Sequence, residues 1–307
     1  MVELSKEIPA YLEFCKYQKK LNEKTIKAYS IDLVQFQRHM AETTGCMAKS
    51  EITGYITYLH KTFRPKTAKR KLACIKAFFN HLEYEEIIAY SPMGKIKTKF
   101  QEPKELPRTI PLKIIKKILA TAYDRLEQAE STYCMRAAQR DIAVVELLFA
   151  SGMRVSELCS LKSDDINLDD GSIRIMGKGT KERVLQIGNR EVLAVLRRYN
   201  KAYYPLINES GHFFVNRLRF RLSEQSVRFL IRSLCEQAGV THHITPHMFR
   251  HSFATLLLEE DVDIRYIQRM LGHSSIQTTQ IYTQVTAGKQ RKILAAKHPR
   301  NKFTFDK

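Results

Sequence analysis

Nowhere in the 307 residues does an apolar run approach the roughly 20 positions that span a bilayer. The first ten residues carry Glu3, Lys6 and Glu7 and lack an apolar h-region, so no secretory signal is expected. Six cysteines stand at 15, 46, 74, 134, 159 and 235, with no C-x-x-C pair. Their scatter argues against a zinc site and against a disulfide framework, and suits a reducing cytoplasm. No internal repeat and no low-complexity tract is visible, and no carboxylate cluster suggests a metal site. What is present is an ordinary 44% hydrophobic content, enough for two domains with real cores and too much for a disordered chain. Against that stands a net charge of +19, from 51 basic and 32 acidic residues. Such an excess attracts a polyanion, because each neutralised phosphate releases counterions. Nucleic acid is the favoured partner, although a basic surface can also be generic, and charge alone names no activity.

Apolar spacing divides the chain. Residues 1–95 read as four or five packed helices without strand-like alternation. Ile26, Tyr29, Leu33 and Phe36 share one helix face, and Leu72, Ile75, Phe78, Phe79 and Leu82 another. Lys61, Arg64, Lys66, Lys69, Arg70 and Lys71 crowd a helix start with no acid among them. A charge run is ordinarily a solvated face. Cations at a helix N-terminus, however, oppose the dipole, and a phosphate backbone lying there would relieve the arrangement. Arg64, Lys66, Lys69, Arg70 and Lys71 are therefore candidate DNA contacts. Residues 96–109 read as a basic linker, and with Lys95, Lys97 and Lys99 around its start it extends that candidate surface.

The second domain, 110–285, starts with a helix after Pro111. Residues 123–139 are polar and read as a loop or an excursion, and a strongly apolar helix covers 140–150. Val155, Leu158 and Leu161 follow on a short helix. Alternation over 172–176 and 183–187 predicts an antiparallel hairpin carrying Lys178 near its tip. Helices are expected again over 190–199, 224–237, 246–258 and 263–270. The fold class is thus mainly α with a small antiparallel β-sheet: an N-terminal helical domain and an α+β second domain. Residues 286–307 form a tail with a short amphipathic helix over 289–297, followed by Phe303 and Phe305.

Chemistry concentrates in the second domain. Arg154 follows a glycine break, with Glu157 three residues on. Lys178 sits between Gly177 and Gly179, which let the backbone approach a ligand. His247 and Arg250 are spaced i, i+3 behind Pro246, in the first turns of a helix whose dipole favours an anion. His273 follows Leu271 and Gly272, and Tyr282 lies nine residues later. Each alone has a plain reading: a surface ion pair, a polar hairpin tip, a core histidine, a packed tyrosine. Together they can bind a phosphate, move protons and offer a nucleophile.

This set and its flanks resemble the tyrosine recombinases, the phage-integrase and Xer group. The matching segments are the Gly-x-Arg-x-x-Glu-Leu around Arg154, Gly177-Lys178-Gly179, His247-x-x-Arg250-His251, Leu271-Gly272-His273-Ser274 and Thr278-Thr279-Gln280-Ile281-Tyr282, in family order. The N-terminal region resembles that family's SAM-like core-binding domain, and residues 110–285 its α+β catalytic domain. The resemblance implies site-specific DNA strand exchange through a 3′-phosphotyrosyl link and a Holliday junction, with no ATP, metal or other cofactor. Tyr282 would be the nucleophile. Arg154, Arg250 and His273 suit the developing phosphate charge, Lys178 the leaving 5′-oxygen and His247 the tyrosine proton. Glu157 would orient Arg154 or His247. The implied partners are double-stranded DNA at a specific site, three further copies in a tetramer on paired sites, and an accessory DNA-bending protein or partner recombinase, with the tail docking on a neighbouring copy. The implied place is the cytoplasm, at the nucleoid. A type IB topoisomerase-like enzyme and a basic DNA-binding regulator that never cuts are the alternatives.

Two domains gripping opposite faces of a duplex predict steeply salt-dependent binding. A plot of log affinity against log salt should fall with a slope of about −0.9 per phosphate neutralised. Fluorescence anisotropy across a salt series measures it. A slope worth only one or two phosphates rules out such a clamp.

Overall fold

The structure is a computed structural model, and it describes residues 3–42, 49–96, 108–176 and 182–272. Lys97, Lys99, Lys178, His273, Tyr282 and the tail 286–307 lie outside the described residues, as does the side chain of Lys95. The chain divides into two compact units, residues 1–104 and 105–307. Among the described residues, no helix is long and apolar enough to cross a membrane.

The first unit is helical. α1 covers Leu4–Tyr17, α2 Glu23–Glu42, α3 Lys49–Thr62 and α4 Pro65–Tyr84, followed by a 3-10 turn at Pro92–Lys95. α4 begins where its sequence says it should. Pro65 occupies the first turn, where its missing N–H costs nothing, and Arg64 caps it in an extended conformation. Its inward stripe of Ala68, Leu72, Ile75, Phe78, Phe79 and Leu82 closes on Tyr11, Leu33, Phe36 and Tyr55.

The basic run at the start of α4 splits by face. Arg64, Lys66 and Lys69 are exposed. Lys71 is not a surface cation, because helical spacing turns it inward with Leu72 and Ile75. It is 2% exposed, donates at 2.8 Å to the fully buried carboxylate of Asp32, and lies 4.7 Å from the Phe63 ring centroid. Gln35 also accepts from it. Arg70 pairs with the other oxygen of Asp32 while its side chain stays 43% exposed. Lys71 thus locks α4 to α2 and leaves the candidate DNA-contact set.

The second unit opens with α5, Leu112–Glu127, packed against α6, Thr132–Ser151. The stretch 123–139 is not a loop. α5 continues to Glu127 and α6 starts at Thr132, so only residues 128–131 connect them. Ser131 caps α6 by accepting from Cys134 N–H at 3.1 Å, Ala122 and Ala138 are buried, and Tyr123 donates to Glu146 at 2.8 Å. Two small alanines and one tyrosine anchor the inner sides of these helix ends, while Glu127, Gln128 and 130–136 stay exposed.

α7, Val155–Ser160, a 3-10 turn at Ser163–Asp165 and the hairpin β1, Ser172–Met176, with β2, Glu182–Gln186, come next. The strands are antiparallel, with Ile175 opposite Arg183 and Met176 opposite Glu182. Alternation points Ile173, Ile175 and Leu185 into the core. α8 is longer than expected, Arg190–Ser210 rather than 190–199, and runs through Pro205. Tyr203 and Ile207 extend the buried stripe of Val192, Leu196 and Tyr199, which outweighs the single backbone bond that proline removes. α9 covers Glu224–Gln237, α10 Pro246–Glu259 and α11 Ile264–Leu271, the last capped by Asp263, which accepts from Arg265 N–H.

Asp32 and Lys71 form a buried, hydrogen-bonded pair, so removing one partner strands the other. Asp32→Ala should cost about 3–5 kcal/mol, while a joint replacement with Lys71→Met should cost much less. Urea unfolding of both variants decides it, and equal losses refute the pairing.

Candidate active site

Four of the sequence-predicted residues come from two places, the α6–α7 corner and the first turns of α10. The corner depends on Gly152. It ends α6 in the left-handed conformation, at φ +61°, and its N–H closes the last turn on the Leu148 carbonyl at 3.1 Å. A Cβ here would lie 2.5 Å from Cδ1 of Phe253, on α10, and 3.1 Å from Cδ2 of Leu271. Only glycine meets both the dihedral and the contact.

Arg154 follows as the residue that caps α7. Its own N–H donates to Glu157 Oε2 at 2.8 Å, and its Nη1 to Glu157 Oε1 at 2.7 Å. The spacing of three therefore works as expected, and of the two orientations open to Glu157 it is Arg154 that it holds. The pair is more than a surface contact. The Glu157 side chain is 9% exposed, and a second guanidinium closes on it: Arg183 Nη1 reaches Oε1 at 3.1 Å and Nη2 reaches Oε2 at 2.7 Å. Burial alone would push the Glu157 carboxyl up. The hydrogen bonds from Arg183 and Arg154 outweigh it and hold the group below its ordinary value, ionised. The Arg154 side chain itself stays 37% exposed, open to a ligand.

Arg250 is 4% exposed on α10. Its Nη1 donates to the Gly152 carbonyl at 3.0 Å and its Nη2 to the Leu271 carbonyl at 2.6 Å. One guanidinium thus pins the residue two before Arg154 and the C-terminal end of α11. Ser252, two residues on, accepts from Ile110 N–H at 2.7 Å and donates to Met248 O at 2.8 Å. Those bonds tie α10 to the start of the unit.

His247 stands in the first turn of α10, behind Pro246, and keeps part of its surface open to solvent. Partial desolvation comes first, then the positive groups of Arg250, Arg154 and Arg228, in holding its pKa below the ordinary value; Glu224 opposes them. His251, one turn on and half-buried, is lowered in the same direction by burial and by His247 and Arg250. The downward shift favours the neutral imidazole of His247, the form that can accept a proton. The guanidinium groups of Arg250, Arg154 and Arg228 all act on this one imidazole, a positive field suited to an oxyanion.

Sequence reasoning missed Arg183. Its signal was present: the alternation that turns Leu185 inward turns Arg183 inward as well, and an inward arginine needs a buried acceptor. Lys178, His273 and Tyr282 lie outside the described residues. Of the N-terminal candidates, Arg64, Lys66 and Lys69 are exposed, Arg70 is partly so, and Lys71 is buried.

An NMR titration of His247 should give a midpoint below about 6.5. Arg228→Gln removes a positive neighbour and frees Glu224 from its ion pair with Arg228. Both effects favour the imidazolium, so the midpoint should rise. A midpoint that stays put or falls contradicts this field.

Two family models match the chain. The phage integrase family covers residues 114–289, and the phage integrase N-terminal SAM-like domain covers 8–86. The chain is 52% identical to a tyrosine recombinase of Agathobacter rectalis over 306 residues, 99% of this chain and all of the relative. To the tyrosine recombinase XerD of Listeria monocytogenes it is 33% identical over 303 residues, 95% of this chain and 98% of the relative. The fold also matches that of the XerH site-specific recombinase bound to a palindromic difH substrate in a post-cleavage complex, with a TM-score of 0.75 at 21% identity over 92% of this chain and 82% of that one. With both domain models in order and relatives aligned end to end, the chain belongs to the phage integrase family, as a tyrosine recombinase, an enzyme of site-specific DNA recombination.

Proposed function

We propose that this recombinase binds double-stranded DNA at a specific site and cuts it through Tyr282. The phenol oxygen attacks the scissile phosphorus, the bond to the 5′-oxygen breaks, and a 3′-phosphotyrosyl link remains. A 5′-hydroxyl from another strand then reverses the step. The number of phosphoester bonds is conserved, so no nucleotide is hydrolysed. The observation that carries this reading is the gathering of Arg154, Arg250 and His247, whose pKa their charges help to lower, around the α6–α7 corner, with Glu157 consumed by the arginines. In this reading Arg154 and Arg250 hold the non-bridging oxygens, His273 adds a donor, His247 takes the tyrosine proton, and Lys178 protonates the leaving 5′-oxygen.

The domain reading follows from the same chemistry. Residues 1–95 and 110–285 grip the duplex from two sides, 96–109 is the basic linker, and 286–307 packs on a neighbouring copy. Arg64, Lys66, Lys69 and the exposed part of Arg70 meet the phosphate backbone, and Lys95, Lys97 and Lys99 extend that path. Exchange between two duplexes involves four strands and each chain offers one nucleophile, so four copies act together on paired sites. An accessory DNA-bending protein or a partner recombinase fits the same assembly, at the nucleoid. The near end-to-end match to tyrosine recombinases weighs against a lone topoisomerase-like enzyme and against a regulator that never cuts.

Covalent capture from a pool of nicked duplexes with randomised sequence tests the proposal. The unaltered chain should retain DNA through denaturation and enrich one inverted-repeat site. Tyr282→Phe should bind the enriched duplex with unchanged affinity and retain none covalently. An adduct formed by the phenylalanine variant moves the nucleophile elsewhere. Arg154→Ala should slow adduct formation by about 10²–10³, and a loss confined to affinity makes it a backbone contact instead.

A further inference from the structure

Arg183 belongs to no motif that led to the site, yet it is bonded both to Glu157 and to the end of α11. Both of its terminal nitrogens fork onto the two oxygens of Glu157, at 3.1 and 2.7 Å. Its Nε donates to the Met270 carbonyl at 3.0 Å, in the last turn of α11. The side chain is 12% exposed. Gly272 closes over it in the left-handed conformation, and a Cβ there would come within 2.8 Å of Nη1 and 3.0 Å of Cδ and Cζ.

We infer that Arg183 is the positioning residue that sets Arg154 for the reaction: it holds Glu157, and through it the Arg154 guanidinium, in register with the C-terminal end of α11. Four lone-pair directions on Glu157 are satisfied by four donors from two arginines. That leaves the carboxylate no other orientation, and Arg154 follows it. The fork requires a planar guanidinium with Nε pointing away from the carboxylate. Lysine can supply charge to Glu157 but cannot also reach Met270 with fixed geometry. The hairpin therefore does more than cover the core. Its second strand carries a rigid rod from α7 to α11, and the chain continues from Gly272 directly to His273. Alternation supplies the rod's direction, since Arg183 lies two residues before the buried Leu185.

The role rests on the recombinase reading, and the test separates the two. The probe is the duplex enriched by covalent capture, and the measurements are single-turnover adduct formation, binding affinity and thermal unfolding. Arg183→Gln should slow adduct formation by about 10- to 100-fold, the penalty expected when a reacting group is displaced by a fraction of an ångström to one. Affinity for the uncut duplex should change less than about threefold. Arg183→Lys should recover part of the rate, because it keeps the charge opposite Glu157 and loses only the fork. Gly272→Ala drives a methyl group into the guanidinium from the other side, so it should reproduce the defect with residue 183 unchanged. That keeps the idea testable if Arg183→Gln unfolds. Variants that cleave at the unaltered rate, or that lose rate and affinity in equal measure, overturn the positioning role alone. Absence of any adduct from the unaltered chain overturns the reaction, and the role with it.

Discussion

A carboxylate nine-tenths withdrawn from water and surrounded by two guanidinium groups organises the catalytic unit. Taken into the protein alone, the Glu157 anion would cost several kcal/mol of lost hydration. It tolerates burial because every acceptor direction is filled. The same contacts that offset the lost hydration also make the anion directional, since a bidentate fork fixes rotation as well as distance. Two arginines share this one acid, so the cluster retains excess positive charge. Arg250 adds more, with its guanidinium on the uncharged carbonyls of Gly152 and Leu271. A cluster built this way holds its positive groups in place before any anion arrives, so its dipoles need not turn to meet one.

Backbone carbonyls at chain breaks are the second half of the construction. α6 ends at Gly152 and α11 at Gly272, both in the left-handed conformation. Helix ends leave carbonyls without intrahelical partners and concentrate partial negative charge. Here arginines collect them: Arg250 takes the carbonyl of Gly152 and, with Arg183, the last two of α11. Cations at these positions stabilise both helix ends, and at the first of them they fix the direction in which the chain leaves Gly152 toward Arg154. The glycines are needed for the same reason. Each lies under a neighbouring side chain, Phe253 or Arg183, at a distance that excludes a Cβ.

Periodicity made much of this legible in advance. The bounds of α9 fall where the apolar spacing put them, α10 opens on Pro246, and the hairpin strands lie within a residue of the alternating segments. The pairing of Arg154 with Glu157 followed from a spacing of three. The features that escaped had a common cause. All of 123–139 but the connection 128–131 is helical because alanines pack and a serine caps, and small residues contribute almost nothing to an apolar pattern. α8 passes its proline because the buried stripe continues beyond it. Lys71 and Arg183 were read by charge as outward or passed over, although the periodicity of their own elements points them inward. The partners that permit this, Asp32 and Glu157, lie 39 and 26 positions away.

Those two inward cations show how the charge of the chain is divided. An excess of +19 invites one explanation, attraction of a polyanion. Part of the basic complement answers a different demand. Lys71 and Arg70 share Asp32, and Arg183 and Arg154 share Glu157, so in both units two cations converge on one buried acid. In each cluster one cation is sealed in while the other keeps a solvent-facing surface: Arg70 at 43% and Arg154 at 37% side-chain exposure. The sealed partner satisfies the acid, and the exposed one is held stiffly with charge to spare. A free surface arginine must lose rotamer entropy when it meets a phosphate. One already anchored through a shared carboxylate has lost it during folding, so the encounter costs less entropy and the geometry is narrower. Burying an acid under two bases is thus a way of converting fold stability into a fixed positive point, and the described residues of each unit use it.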